Sequence, residues 1–177
     1  AVDTHLKKIA KLPRVVTPII FPLDRSRPLT DLLSGRTTTF DLDGDGLTSR
    51  WPWVKPSTGI LVWDPKRNGR IADGRQLFGS VTWWIFWNNG FEPMALLDDN
   101  HDGWLAGSEL KKLGVWQDRN GNGVSDAGEV KSLDAHGIAR LATQPQHELT
   151  HPTGLELKDG RRLPLYDWTP TSLPTRD

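Results

Sequence analysis

Apolar and polar positions change their pattern twice along the 177 residues. In residues 1–36 apolar side chains are interrupted by four prolines, and the spacing predicts a short helical stretch only over residues 6–12. Because proline lacks an N–H and fixes φ, this pattern argues against a helix or a central strand downstream. We predict an extended arm over residues 1–36, with its prolines at Pro13, Pro18, Pro22 and Pro28.

From residue 37 to 141, Gly, Asp and Asn separate short apolar runs, a pattern typical of loops joined by short helices and strands. After residue 142 two apolar runs, 155–158 and 162–165, flank Asp159-Gly160, which predicts a β-hairpin. We therefore divide the chain into the arm, a central module over residues 37–141 and a carboxy-terminal hairpin and tail over residues 142–177 that packs on the module.

An internal repeat marks the central module. Four loops begin with aspartate, and each has glycine five residues later, where a calcium loop makes a sharp turn. The aspartate and glycine pairs are Asp41 and Gly46, Asp64 and Gly69, Asp98 and Gly103, and Asp118 and Gly123.

The third and fourth loops match the ligand pattern of an EF-hand-like calcium loop, the fourth more completely, since a water would stand in for Ala106 in the third. Calcium takes 6–8 oxygen ligands. If the first aspartate of a loop is counted as place 1, alternate residues must therefore point an oxygen inward, and a carboxylate at place 12 must complete the coordination shell. The alternative is Asx-rich turns that satisfy only their own backbone. The predicted ligands are Asp98, Asn100, Asp102, the Trp104 carbonyl and Glu109 in the third loop, and Asp118, Asn120, Asn122, the Val124 carbonyl, Asp126 and Glu129 in the fourth.

The first and second loops are incomplete. The first has carboxylates at Asp41, Asp43 and Asp45 but Pro52 at the closing place, so we expect a further ligand from Asp64 or Asp73. Three carboxylates so close repel one another unless a cation lies among them.

The second loop has Lys66 at a ligand place and Gln76 near the closing place. It is interpreted as a degenerate loop that keeps the turn without the metal.

The short separation of the last two loops sets the expected architecture. A helix over residues 108–113 would have to serve both loops, because Gly114 stops it, and a second helix over residues 127–135 would end at Gly137. We therefore predict an α+β domain of short helices and strands organised around EF-hand-like loops.

The composition excludes several kinds of site and partner. The chain has no cysteine, which excludes disulfides and thiolate zinc sites, and its 22 basic and 22 acidic residues leave no net charge to attract nucleic acid. No apolar run is long enough to span a membrane. Since millimolar extracellular calcium suits weak oxygen-ligand loops, we expect a secreted or cell-envelope protein.

The loops and their order resemble a known family. Residues 40–46, 59–79, 90–103 and 115–129 are similar to the calcium-dependent self-processing modules of bacterial RTX-type exoproteins, and the single loops also resemble dockerin repeats. The resemblance covers residues 40–138 and implies a mixed α/β module that folds around calcium. That family cleaves an Asp-Pro bond ahead of the first loop; here residues 37–39 are threonines, so no self-cleavage is expected.

Two other motifs have competing interpretations. Residues 147–151, His-Glu-Leu-Thr-His, match the zincin pattern, but Pro145 and Pro152 bracket them, which favours a solvated loop over a helical zinc site. The aromatic-rich residues 81–91 could form core or a flat platform for sugars or a protein.

The sequence thus predicts a calcium-binding structural module of a bacterial protein, without a catalytic centre. A dockerin-like module that binds a protein partner is the alternative, followed by a self-processing or zinc hydrolase module.

Overall fold

Ten β-strands dominate residues 16–171, the part of the chain that the computed structural model describes. The strands are β1 (Ile19–Pro22), β2 (Leu33–Phe40), β3 (Ser49–Val54), β4 (Thr58–Trp63), β5 (Trp104–Ala106), β6 (Leu113–Trp116), β7 (Val130–Ser132), β8 (Ile138–Ala142), β9 (Thr150–Leu157) and β10 (Arg162–Asp167). Two short α-helices, α1 (Leu29–Leu32) and α2 (Phe91–Ala95), and four 3-10 helices accompany them, at Gly74–Gln76, Thr82–Trp84, Gly107–Leu110 and Asp134–His136.

Eight strands form one antiparallel sheet in the order β5-β8-β9-β10-β1-β4-β6-β7, and β2 pairs with β3 in a separate ribbon. The predicted α+β class is therefore wrong: the protein is mostly β. None of the helices in residues 16–171 is long and apolar enough to cross a membrane.

The sheet separates two apolar cores because successive side chains of a strand point to opposite faces. In β1, Ile19 and Phe21 enter one core and Ile20 enters the other. The first, the sheet core, also takes leucines and isoleucines from β8, β9 and β10. The second, the ribbon core, lies against β2 and β3 and includes a cluster of aromatic rings, Phe40, Trp53 and Trp116.

Strand β1 corrects the expectation that the proline-rich arm cannot supply a central strand. It is fully buried and pairs with both β10 and β4. Pro18 lies just before the strand and Pro22 is its last residue, so the intervening N–H groups remain free to pair. The strand is further accommodated by Gly59, where a Cβ would come within 2.6 Å of the Phe21 ring.

Both predicted helices after the complete loops are wrong. The 3-10 helix ends at Leu110, and Leu113 already belongs to β6, which pairs with β4. Residues 127–135 hold β7 and part of a 3-10 helix, because Gly128 takes φ +81° and breaks helical geometry. Only the stop at Gly137, with φ +68°, is confirmed.

The predicted hairpin around Asp159-Gly160 is confirmed, since β9 pairs with β10 through Arg162 opposite Glu156. The predicted helical stretch 6–12 lies outside the described residues. The division at residues 36 and 142 stays a prediction, and strands from all three predicted segments lie in the one sheet.

Candidate metal centre

All four aspartate loops fold in the same way. The two carboxylate oxygens of the first aspartate accept the backbone N–H groups at places 5 and 6 of its own loop. The pairs are Asp41 with Asp45 and Gly46 (3.1 and 3.0 Å), Asp64 with Asn68 and Gly69 (3.1 and 2.9 Å), Asp98 with Asp102 and Gly103 (3.2 and 2.8 Å), and Asp118 with Asn122 and Gly123 (3.2 and 2.9 Å).

The place-6 glycines explain why this turn repeats. Each adopts a left-handed backbone, with φ between +67° and +89°, which glycine alone takes without a Cβ clash. The first aspartate of every loop is buried beneath this turn. The sequence prediction of four equivalent turns is therefore confirmed.

The first loop brings its carboxylates together. Ligand oxygens of Asp41, Asp43 and Asp45 lie within 4.8 Å of one another, and no other group of three or more Asp, Glu or His side chains within residues 16–171 does so. Burial raises the pKa of Asp43, and the neighbouring charges of Asp45 and Asp41 raise it further. Such a group of oxygens fits a hard cation such as calcium.

Neither ligand expected from elsewhere joins this cluster. Asp64 holds the turn of its own loop. Asp73 accepts hydrogen bonds from the Arg75 backbone and guanidinium; burial raises its pKa, but these bonds outweigh burial and lower it overall.

Arg75 covers the first loop, a role that the sequence did not indicate. A Cβ on Gly44 would lie 2.7 Å from Arg75 Cγ, and the neighbouring Gly74 donates its N–H to the Asp41 carbonyl at 2.8 Å. The loop therefore has a cation beside it, paired with Asp73 rather than with the loop's own carboxylates.

In the third loop, Glu109 reaches back across the turn. Its two oxygens accept the N–H groups of Asp99 and Ala106 at 2.8 and 2.9 Å. The carboxamide of Asn100 donates to Asp102 at 3.1 Å. Trp104 is half-buried, with Arg140 stacked 4.1 Å from its ring.

The fourth loop repeats this closure and adds contacts to the ribbon core. Glu129 accepts the N–H groups of Arg119 and Asp126 at 2.8 and 3.2 Å. The Trp53 indole donates to Asp118 at 2.6 Å, a contact across 65 residues that sequence reasoning missed.

Asparagine carboxamides complete the fourth loop. The Asn120 and Asn122 amides donate to Asp126 at 2.8 and 2.9 Å, and these bonds lower the pKa of Asp126. Of the remaining predicted ligands, Val124 lies at the exposed edge of the same loop. The structure thus gathers the fourth-loop ligands around one turn.

The second loop closes with an amide instead of a carboxylate. Gln76 Oε1 accepts the N–H of Ala72 at 2.8 Å, the same place-9 group that Glu109 and Glu129 engage. Gln76 Nε2 donates to the Arg70 carbonyl, at place 7, at 3.0 Å. In a calcium loop the place-7 carbonyl oxygen points at the ion. Here that oxygen accepts a hydrogen bond from the Gln76 side chain instead.

The zincin-like residues do not form a helix. His147 and Thr150 exchange backbone hydrogen bonds of 3.0 and 2.9 Å across a tight turn, and His151 lies buried in β9. The geometry that puts two histidines one helical turn apart is absent from residues 147–151. The interpretation as a solvated loop describes residues 147–149 but is wrong for Thr150 and His151, because pairing with β10 makes them part of β9.

The aromatic residues divide between core and surface. Trp51, Trp53 and Phe91 are buried, whereas Trp84 and Phe86 are among the most exposed apolar side chains. Neither predicted alternative describes the whole segment.

Comparison with known proteins adds two findings. The model of the SPM domain matches residues 23–160. The iron-regulated protein FrpA of Neisseria meningitidis serogroup C is 36% identical over 107 residues, which cover 58% of this chain and 10% of that protein. The chain therefore spans about a tenth of that relative's length.

Proposed function

Since the chain belongs to the SPM domain family, we propose that it is a calcium-binding structural module whose fold calcium stabilises, as part of a secreted or cell-envelope bacterial protein. The single observation that carries the proposal is the first loop, where ligand oxygens of Asp41, Asp43 and Asp45 lie within 4.8 Å of one another. The Asp41 carboxylate is held in place by the backbone N–H groups of Asp45 and Gly46.

The donor chemistry supports calcium in particular. The predicted ligands of the first, third and fourth loops are carboxylate, carboxamide and carbonyl oxygens, and the chain has no cysteine. Oxygen donors in flexible loops suit calcium, while zinc prefers nitrogen and sulfur. Asp41, Asp43, Asp45 and the closing carboxylates Glu109 and Glu129 would hold the ions.

Bound calcium would neutralise the clustered carboxylates of the first loop. The Asp43 carboxylate, whose pKa is raised by burial and by Asp45 and Asp41, is the group that a bound cation would most strongly favour in its ionised form. The module would then fold fully where calcium is millimolar, outside the cytoplasm.

We also propose that the module resembles the calcium-dependent self-processing modules of RTX-type exoproteins without cleaving itself. Residues 37–39 are threonines in β2, and Asp64-Pro65 opens the second loop, where the Asp64 carboxylate holds the turn. A dockerin-like role has no specific observation in its favour, because strands and 3-10 helices follow the loops.

The test is calcium content and stability measured together. We expect mass spectrometry to find bound calcium in the native protein, and a calcium chelator to lower the melting temperature by at least 10 °C, about 3 to 5 kcal/mol for a domain of this size. A matched chelator treatment of a Glu109→Gln, Glu129→Gln double variant should have a smaller effect. An unchanged melting temperature together with zinc in place of calcium would contradict the proposal.

A further inference from the structure

Residues 76–91 form the longest stretch of the chain without a charged side chain. At its apex Trp84, Ile85 and Phe86 are 69%, 47% and 72% exposed. We call these three residues the aromatic tip. Calcium binding gives no reason for three consecutive large apolar side chains to face solvent.

The backbone holds the tip outward. Trp83 and Trp84 both have positive φ, +58° and +67°, a conformation that bulky residues rarely adopt and that persists only where packing imposes it. The packing is present: the Trp83 ring lies 5.2 Å from Trp63 and 5.7 Å from Phe78. The tip therefore projects from an anchored base.

Two of the three backbone N–H groups of the tip donate to carbonyls of the same loop. The N–H groups of Trp84 and Ile85 donate to the Val81 and Thr82 carbonyls at 3.3 and 3.2 Å. The Trp87 N–H donates to Ser80 at 2.9 Å. These bonds lower the cost of moving the loop from water into an apolar environment, where each unsatisfied backbone group is costly.

Positive charge lies beside the tip. The ammonium of Lys112 lies 5.9 Å from the Trp63 ring, which contacts Trp83, and Arg67 donates to the Lys111 carbonyl at 3.2 and 3.1 Å. Lys66, Arg67, Lys111 and Lys112 are exposed and form what we call the basic edge. Within residues 16–171 none of the four makes a salt bridge.

We propose that the aromatic tip inserts into the interface of a lipid bilayer that bears anionic headgroups, while the basic edge lies against those headgroups. Tryptophan and phenylalanine favour the boundary between water and hydrocarbon, and each nearby lysine or arginine adds attraction to an anionic surface. A sugar platform fits less well, because the Arg75 guanidinium already lies 4.1 Å from the Trp84 ring.

The test is sedimentation of the full chain with vesicles, in calcium throughout so that the fold is unchanged. We expect binding to phosphatidylcholine mixed with phosphatidylglycerol and much weaker binding to phosphatidylcholine alone. A Trp84→Ser, Ile85→Ser, Phe86→Ser variant and a Lys111→Glu, Lys112→Glu variant should each bind the mixed vesicles about tenfold more weakly.

A matched control distinguishes the tip from general surface apolarity. Leu96 is 62% exposed outside the tip, so Leu96→Ser should bind as the unmodified chain does. Circular dichroism melting confirms that each variant is folded. The proposal is overturned if no vesicle binds, if the tip variant binds normally, or if light scattering shows a dimer that the tip variant loses without any lipid binding.

Discussion

The second and fourth loops lie side by side, since Ser125 of the fourth accepts the Ile71 N–H near the second at 2.9 Å, yet they close in opposite ways. Gln76 both accepts and donates, and its amide satisfies the Arg70 carbonyl. Glu129 only accepts. A neutral amide can complete this turn by itself, whereas a carboxylate adds charge that a cation can neutralise.

The first aspartates of the two loops also differ in exposure and in their hydrogen-bond partners. Asp118 has no exposed surface and receives the Trp53 indole from the ribbon core. Among residues 16–171, the Asp64 carboxylate receives only the two turn N–H groups of its own loop. The fourth loop therefore couples any bound ion to the packing of the aromatic rings in the ribbon core, while the Asp64 carboxylate serves the turn of its own loop.

The largest expected effect comes from removing each first aspartate. Asp118→Ala leaves four donors without an acceptor and should lower the free energy of unfolding by about 4 kcal/mol; they are the N–H groups of Gly121, Asn122 and Gly123 and the Trp53 indole. Asp64→Ala leaves two donors without an acceptor and should lower it by about 2 kcal/mol. Urea unfolding in chelator measures both; equal costs would remove the distinction between the loops.

The pH dependence of the free energy of unfolding should be the same in variants of either loop, because it comes from a residue outside both. Asp167 lies in neither, and burial raises its pKa to about 7, with the hydrogen bond from the Gly90 N–H at 3.1 Å offsetting only part. Because the folded pKa exceeds the unfolded value of 3.8, this stability is fully present below about pH 4 and is lost as the pH rises through 7.

We expect the free energy of unfolding to fall by about 2 kcal/mol between pH 5 and 8. Asp167→Asn should abolish that decrease. The Asp118 and Asp64 variants should keep it, because distant sites act additively. A changed pH slope in the Asp118 variant would show that the fourth loop is coupled to the sheet around Asp167.

Exchanging the closing residues should exchange the behaviour of the loops. Glu129→Gln should lose one bound calcium and, in chelator, cost about 1 to 2 kcal/mol, because its amide can accept only one of the two N–H groups that Glu129 accepts. Gln76→Glu sets a carboxylate against the Arg70 carbonyl and should cost about 1 to 2 kcal/mol in chelator. Calorimetric calcium stoichiometry and chemical unfolding check both; a Glu129→Gln variant with full calcium content would refute the assigned closing role.

The smallest expected effect is a change in terbium luminescence, which distinguishes the third loop from the fourth. Terbium shares calcium's preference for oxygen, and excited tryptophan near a bound terbium sensitises its emission. Trp104→Phe should remove the third-loop share. Trp53→Phe combined with Trp116→Phe should remove the fourth-loop share, because these indoles contact Asp118 and Glu129. Tyr166→Phe is the control. Emission that survives all three tryptophan changes would show that terbium binds elsewhere.

Local sequence determined the turns of this protein. An aspartate followed five residues later by glycine folds the same way four times, since the required N–H groups and the left-handed glycine are all within six residues. The hairpin at Asp159-Gly160 was predictable for the same reason. Short-range hydrogen bonds and φ preferences suffice there.

Tertiary structure decided which element comes after each turn. Residues 113–116 became a strand because β4 and β7 offer pairing on both sides, and residues 19–22 became a central strand because β10 and β4 flank them. Local propensity is too weak to specify such pairings between segments far apart in sequence. The indole of Trp53 at Asp118 and the guanidinium of Arg75 over the first loop likewise depend on distant parts of the chain being brought together by the two cores.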